Sequence, residues 1–101
     1  MAKPYRVEWN KRAFKTFQET TNYLSDNFSF QAASNFANDV FDKIEVLKSY
    51  PTIGRKAAKR KSVYFVLIGK NKRLYYRLKG KTIFISSIFD TRQNPEKDVH
   101  Q

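Results

Sequence analysis

The sequence predicts an α+β fold: an N-terminal strand, a helical hairpin and then a three-stranded antiparallel meander, with the helices on one face of the sheet. Three observations carry this prediction. Apolar side chains recur at helical spacing over residues 33–47. Apolar and polar residues form three short strand patterns within residues 62–89. The short polar links Gly69-Lys70-Asn71 and Gly80-Lys81 separate those patterns, as turns between antiparallel strands do.

The first half of the chain divides into one strand and two helices. Residues 4–9 alternate in polarity, which is typical of a half-buried strand, and Asn10 is suited to cap a helix over residues 11–26. Ser29 is suited to begin a second helix. Pro51 ends that helix, because proline lacks an amide hydrogen and disfavours helix in the residue before it. Two amphipathic helices with a short link predict a helical hairpin.

The second half supplies three strands, over residues 62–68, 72–79 and 82–89. We expect the core where the apolar face of the second helix meets the inward-facing strand residues. The predicted core residues are Phe36, Val40, Ile44, Leu47, Leu74, Tyr76, Ile83 and Ile85. Residues 90–101 form a polar tail, and residues 1–101 are predicted to be a single domain, since no linker or repeat divides them.

The charge of the chain is concentrated in its second half. The 101 residues carry a formal net charge of +11. Residues 1–50 hold seven basic and six acidic side chains, whereas residues 51–101 hold thirteen basic and three acidic ones. Such a positive field attracts nucleic acid, an anionic membrane or an acidic protein. Solubility alone is the alternative explanation.

Composition excludes several classes of site. Without cysteine there is no disulfide, thiolate metal site or cysteine nucleophile. No Gly-rich phosphate loop, serine nucleophile motif or histidine metal motif is present, so no cofactor or metal is predicted. The N-terminus lacks the apolar core of a signal peptide, and no apolar run approaches the ~20 residues of a membrane-spanning helix. We therefore expect a cytoplasmic protein without a membrane partner.

Two groups of polar residues are assigned no chemistry. His100 stands second from the end without an evident partner, which makes it a poor general base. Asp39, Asp42 and Glu45 lie on the polar face of the second helix at a spacing that could resemble a metal site. A solvated helix face explains those three carboxylates better.

The middle strand of the meander divides by parity into two faces. Leu74, Tyr76 and Leu78 are predicted to point to the core. The opposite, open face then carries the candidate target-binding residues Arg73, Tyr75, Arg77 and Lys79. Arginine binds phosphate through a rigid fork of donors, and tyrosine can stack on bases. The alternative is an ordinary charged outer face.

Arg92 is a further candidate for target binding, just past the last predicted strand. The alternative is that Asp90 and Arg92 simply fix the turn through hydrogen bonds.

The chain resembles the RelE/ParE superfamily of type II toxins over nearly its whole length. The resemblance rests on the order of elements and on three segments, residues 47–55, 73–76 and 88–95. It implies a growth-inhibiting toxin held inactive by a co-expressed antitoxin, which the charge of this chain predicts to be acidic. RelE-like members cut mRNA in the ribosome with clustered basic residues and a C-terminal tyrosine. ParE-like members poison DNA gyrase.

Only part of the RelE-like residue set is present. The resemblance places two of that family's arginines on Arg73 and Arg92. Its paired lysines would fall near Tyr64 and Val66 and are missing, and no tyrosine follows Tyr76.

Two basic residues could take the place of the missing lysines. Lys59 and Lys61 precede the lysine positions and are the remaining catalytic candidates. Arginine stays protonated in proteins and cannot readily exchange protons. The resemblance therefore favours a ParE-like, non-catalytic toxin that poisons gyrase. A RelE-like ribosome-dependent endoribonuclease is the alternative, and a nucleic-acid-binding domain without toxicity is a third hypothesis.

Overall fold

A computed structural model describes residues 4–57 and 62–92 of the chain. Its elements are β1 Arg6–Trp9, α1 Lys11–Asn27, α2 Phe30–Ser49, β2 Arg55–Lys56, β3 Val63–Ile68, β4 Lys72–Lys79 and β5 Thr82–Asp90. The strands form one sheet in the order β1-β5-β4-β3-β2, and both helices cover the same face. The predicted α+β fold is confirmed.

Two features of the sheet were not predicted. β1 joins the meander beside β5 as a parallel strand, so that Val7 is paired with Ile83. β2 is a two-residue strand that pairs with β3, in a part of the chain where no strand was predicted. Both pairings join segments that are distant along the chain or very short, so local sequence patterns do not reveal them.

Side-chain caps fix where the helices begin, as the sequence predicted. Asn10 Oδ1 accepts a hydrogen bond of 2.7 Å from the backbone N–H of Arg12. Ser29 Oγ accepts one of 3.0 Å from Ala32. Each bond satisfies a backbone donor that the first turn of a helix leaves without a partner. α2 ends at Ser49, two residues before Pro51.

The main core lies between the helical hairpin and the covered face of the sheet. All eight predicted core residues are buried in one cluster, which confirms the core prediction. Trp9 and Phe17 extend it towards α1, with ring centroids 5.5 Å apart. The bulk of the large aromatic residues explains how such a short chain fills a core.

A β-bulge keeps β5 in register with the core. Tyr75 is paired with Ser87 whereas Tyr76 is paired with Ile85, so β5 has one extra residue, Ser86. The extra residue lets Ile88 return to the covered face after Ile85, although the two are an odd number of positions apart.

Asp39 ties α2 to the turn between β3 and β4. Its Oδ2 accepts a hydrogen bond of 2.7 Å from the backbone N–H of Gly69, and its Oδ1 accepts one of 2.8 Å from Lys43. Burial alone would raise the pKa of Asp39, but these two hydrogen bonds and the charge of Lys43 leave that pKa below its usual value. Glu45 forms an ion pair with Lys48 of the same helix. Both carboxylates therefore have structural partners on α2.

We expect Asp39→Asn to lower the free energy of unfolding by about 1 kcal/mol at pH 7, through the hydrogen bonds of its charged form. A depressed pKa contributes stability above the unfolded pKa of about 3.9, and that stability disappears as pH falls through the folded pKa. Urea melts at several pH values should therefore show that the wild type and Asp39→Asn become more similar in free energy of unfolding as the pH falls. Asp42→Asn, at an exposed position of the same helix, is the control. Equal losses in both variants at every pH would contradict this role of Asp39.

Candidate functional site

The face of the sheet that the helices leave open carries the candidate binding residues of β4. Their side chains alternate with the buried Leu74 and Tyr76, as the parity of the strand predicted. Strand pairing arranges this outer face in three rows across the sheet. These rows are Leu67–Arg73–Phe89, Arg55–Phe65–Tyr75 and Val63–Arg77–Phe84. Each row places an arginine beside apolar side chains.

The outer face has an apolar centre of its own. Ala57, Val63, Phe65 and Tyr75 are buried in a second cluster, against which Phe89 packs. The rings of Phe65 and Tyr75 lie 5.4 Å apart. The sequence predicted a basic stripe here, and the structure adds an apolar layer beneath it.

Arg73 is held against this aromatic centre. Its guanidinium carbon lies 4.3 Å from the centroid of the Phe65 ring, and its Nη1 donates a hydrogen bond of 3.2 Å to Tyr75 Oη. An arginine stacked on a ring and tied at one nitrogen has fewer conformations to lose when it binds an anion. Arg73 is thus a positioned cation on the outer face.

Tyr75 does not present its ring to solvent. Only 2% of it is exposed, because Phe65 from β3 and Phe89 from β5 pack against it. This corrects the expectation that Tyr75 could stack on a base. The structure places Tyr75 beneath the surface, where it orients Arg73.

Further cations share the outer face with Arg73. Arg77 and Lys79 are exposed, and their positions agree with the predicted parity. Arg55 is also exposed and lies in the same row as Phe65 and Tyr75. Arg55 was not predicted as a site residue, because β2 has only two residues and shows no alternation. The preceding Gly54 was the only available signal of a close approach.

A buried tyrosine anchors the loop that leads into β2. Tyr76 Oη donates a hydrogen bond of 2.7 Å to the carbonyl oxygen of Pro51 and accepts one of 3.2 Å from the N–H of Gly54. Burial raises the pKa of Tyr76 to about 12, so the hydroxyl stays protonated as a donor. These bonds fix the chain just before Arg55.

Arg92 lies on the other side of the sheet, next to the helical hairpin. Its Nε and Nη2 donate hydrogen bonds of 3.2 and 3.0 Å to the two carboxylate oxygens of Asp90. The backbone N–H of Arg92 also donates to Asp90, over 2.9 Å. The side-chain hydrogen bond from Arg92 is the main cause that holds the pKa of Asp90 below its usual value. This arrangement matches the turn-fixing alternative.

The structure therefore does not bring the two arginines together. Arg73 stacks within the outer cluster, whereas Arg92 lines a groove of about 940 Å³ with Tyr23, Leu24 and Phe28 of the hairpin. Lys59, Lys61, His100 and most of the predicted polar tail lie outside the described residues.

Comparison with known proteins decides the family. The family model of the ParE toxin of type II toxin–antitoxin systems, parDE, matches residues 7–95. The chain belongs to the ParE toxin family. No curated protein sequence is significantly similar to it.

Solved structures similar to this ParE-family toxin share its fold at low sequence identity. The chromosomal ParDE system from P. aeruginosa has a TM-score of 0.71 at 15% identity, with 85% of this chain and 95% of that chain covered. The YoeB dimer from Staphylococcus aureus has a TM-score of 0.61 at 13% identity, over 83% and 93%. The RelBE2 toxin–antitoxin complex from Mycobacterium tuberculosis has a TM-score of 0.56 at 18% identity, over 86% and 98%.

Two further observations concern membrane-spanning helices and metal-binding clusters in this ParE-family toxin. Neither helix in the described part of the chain is long and apolar enough to cross a membrane. Among the same residues, no three histidine or acidic side chains converge as metal ligands would.

Proposed function

We propose that this ParE-family toxin acts in the cytoplasm by binding DNA gyrase, without cleaving RNA, and that a co-expressed acidic antitoxin neutralises it. The separation of Arg73 and Arg92 on opposite faces of the sheet carries this proposal. These are the only two matches to the RelE-like arginines, and one of them is bound to Asp90 through two hydrogen bonds.

The chemistry of RNA cleavage supports the same choice. Attack by a 2′-hydroxyl requires a base, an acid and a stabiliser of the developing charge around one phosphate. Arginine can stabilise charge but does not exchange protons. At the positions where the resemblance would place lysines, Tyr64 and Val66 belong to the helix-side core, and Tyr64 stacks on Tyr76 at 5.5 Å. They lie on the opposite face of β3 from Phe65 and the stacked Arg73.

Charge and family together support an acidic antitoxin. The second half of the chain attracts a polyanionic partner over long range, so association should be faster at low salt. The ParDE and RelBE2 structures are named as a toxin–antitoxin system and a toxin–antitoxin complex, and we extend that assembly to this chain.

We expect the purified toxin to inhibit supercoiling by gyrase, and Arg73→Ala to weaken gyrase binding by about 1–3 kcal/mol through loss of a charged hydrogen bond. Lys15→Ala is the control, since it removes one positive charge from an exposed position of α1. Binding is measured by calorimetry and inhibition by a plasmid supercoiling assay. If Arg73→Ala binds gyrase as tightly as Lys15→Ala does, the outer face is not the gyrase-binding surface.

The RelE-like alternative predicts a different result from the same variant. Arg73→Ala would then slow mRNA cleavage by about 100–1000-fold, the usual effect of losing a group that stabilises developing charge, while ribosome binding persisted. A translation assay with the purified toxin distinguishes the two functions.

A further inference from the structure

The two faces of the sheet differ in how their charges are balanced. Among residues 4–57 and 62–92, six of the seven acidic residues lie on α1, on α2 or on the covered face of β5: Glu19, Asp26, Asp39, Asp42, Glu45 and Asp90. There Lys43, Lys48 and Lys72 form ion pairs with them. Of the seven, only Glu8 lies on the outer face, where it is paired with Phe84.

The outer face has a basic corner where β4 ends, formed by Arg6, Arg77 and Lys79. All three residues are exposed. Strand pairing places Thr82 between Lys79 and Arg6 in one row across β4, β5 and β1. Residues two positions apart on a strand lie roughly 6.6 Å apart, and residues two strands apart roughly 9.6 Å, so the three cations form one small patch.

The charge of the basic corner is not neutralised by nearby carboxylates. Within the described ranges, neither Arg77 nor Lys79 forms an ion pair. Arg6 lies 3.8 Å from Glu8, but the two side chains are 78% and 47% exposed, so water and salt weaken this pair. The basic corner therefore presents three cations and a single carboxylate to solvent.

The side chains of the basic corner are those that bind phosphate. Arginine binds phosphate oxygens through its planar fork, and lysine binds them as a point charge. The hydroxyl of Thr82, between Lys79 and Arg6, adds a neutral donor of the kind that contacts nucleic-acid backbones. A duplex carries one negative charge per ~1.7 Å of its axis, and cations that bind it release its counterions.

The aromatic centre of the outer face favours a duplex over a single strand as the ligand. Proteins bind single strands with exposed rings on which unpaired bases stack. Tyr75 and Phe65 are only 2% and 9% exposed, and the guanidinium of Arg73 lies over the Phe65 ring. A duplex keeps its bases stacked inside and can be bound through phosphate contacts alone.

We propose that the basic corner binds the phosphate backbone of duplex DNA, independently of base sequence. The choice of DNA over RNA rests on the proposed function, because gyrase acts on duplex DNA. Arg73 lies roughly 20 Å along β4 from Lys79. One toxin molecule can therefore contact gyrase around Arg73 and, at the same time, DNA at the basic corner.

Two matched double variants test the location. The probe is a short fluorescent DNA duplex of arbitrary sequence, and anisotropy measures its affinity for the toxin alone from about 50 to 200 mM salt. Arg77→Gln/Lys79→Gln should reduce the slope of log affinity against log salt by about 2, since each lost phosphate contact reduces it by about 1. Arg12→Gln/Lys15→Gln removes the same residue types from exposed positions of α1 and should leave the slope unchanged. Circular dichroism melts of both variants verify folding.

Three outcomes would overturn this inference. Equal reductions of the slope in the two double variants would mean that net charge, and not the basic corner, attracts DNA. Tighter binding of a DNA single strand or of an RNA duplex than of the DNA duplex would identify a different ligand. A wild-type toxin that binds no duplex at micromolar concentration in low salt would have no such site.

A supercoiling assay of the same preparations separates this inference from the proposed function. A toxin that inhibits gyrase but does not bind the duplex contradicts the inference alone. A toxin that binds the duplex through the basic corner but leaves gyrase active contradicts the proposed function alone. We expect the wild type to do both.

Discussion

Truncating Phe36 to alanine is expected to lower the free energy of unfolding by about 3–5 kcal/mol, the usual loss for a buried phenylalanine. Phe36 is 7% exposed and belongs to the main core. Its ring lies 5.6 Å from that of Phe17, and Lys72 Nζ lies 5.8 Å from its centroid. Removing the ring leaves a cavity between the two helices and β4 that rigid neighbours cannot fill.

Phe30→Ala is the control for this prediction. Phe30 is the first residue of the same helix and is 78% exposed, so its loss should change stability by less than about 0.5 kcal/mol. Urea titration of both variants measures the difference. A loss below about 1 kcal/mol for Phe36→Ala would contradict the assignment of the core.

Gly54→Ala is expected to have the next largest effect, a loss of about 3 kcal/mol, because the site has no room for a methyl group. A Cβ atom at Gly54 would lie 2.6 Å from Tyr76 Oη and 2.7 Å from the carbonyl oxygen of Phe65. The carbonyl belongs to β3 and cannot move without breaking the pairing with β2. The substitution should therefore also release the hydrogen bond between Tyr76 and Pro51 and loosen Arg55.

Gly80→Ala is the control for Gly54→Ala. It measures the loss of stability from replacing a glycine where the added methyl group meets no other atom. Gly80 has a φ of +58° and open space around its Cβ position, so alanine costs only the backbone strain of about 1–2 kcal/mol. Denaturant melts compare the two losses. Hydrogen exchange at Ala57, whose amide pairs with Val63, should accelerate only in Gly54→Ala. Similar losses of stability in both variants, with unchanged exchange of the Ala57 amide, would contradict the role of Tyr76 in fixing the loop before β2.

Local patterns predicted the elements that depend on neighbouring residues. The caps at Asn10 and Ser29, the end of α2 before Pro51 and the bounds of β4 all follow from chemistry within a few positions. The core followed from the same periodicities, because helical and strand spacing define one apolar face each. The bulge in β5 could also have been inferred, since Ile83, Ile85 and Ile88 cannot share a face without an extra residue.

The features that were not predicted depend on contacts between residues far apart along the chain. The parallel pairing of β1 with β5 and the short β2 join segments whose sequences do not specify one another. The parity of β4 gave the correct face for Arg73 and Tyr75, but only Phe65 and Phe89 from neighbouring strands determine that Tyr75 is covered. The ion pair between Asp90 and Arg92 is local and was an alternative that the sequence offered, but the place of Arg92 beside the hairpin depends on the packing of α1 against β5.

The most direct test of the central claim is to induce the toxin in growing cells, then map mRNA ends and measure plasmid supercoiling in the same cultures. A toxin that acts by binding gyrase should stop growth and alter supercoiling without producing new mRNA ends at translated codons. Arg73→Ala should weaken both effects, while Lys15→Ala retains them. New in-frame mRNA cuts together with unchanged supercoiling would contradict the proposed function and support the RelE-like alternative.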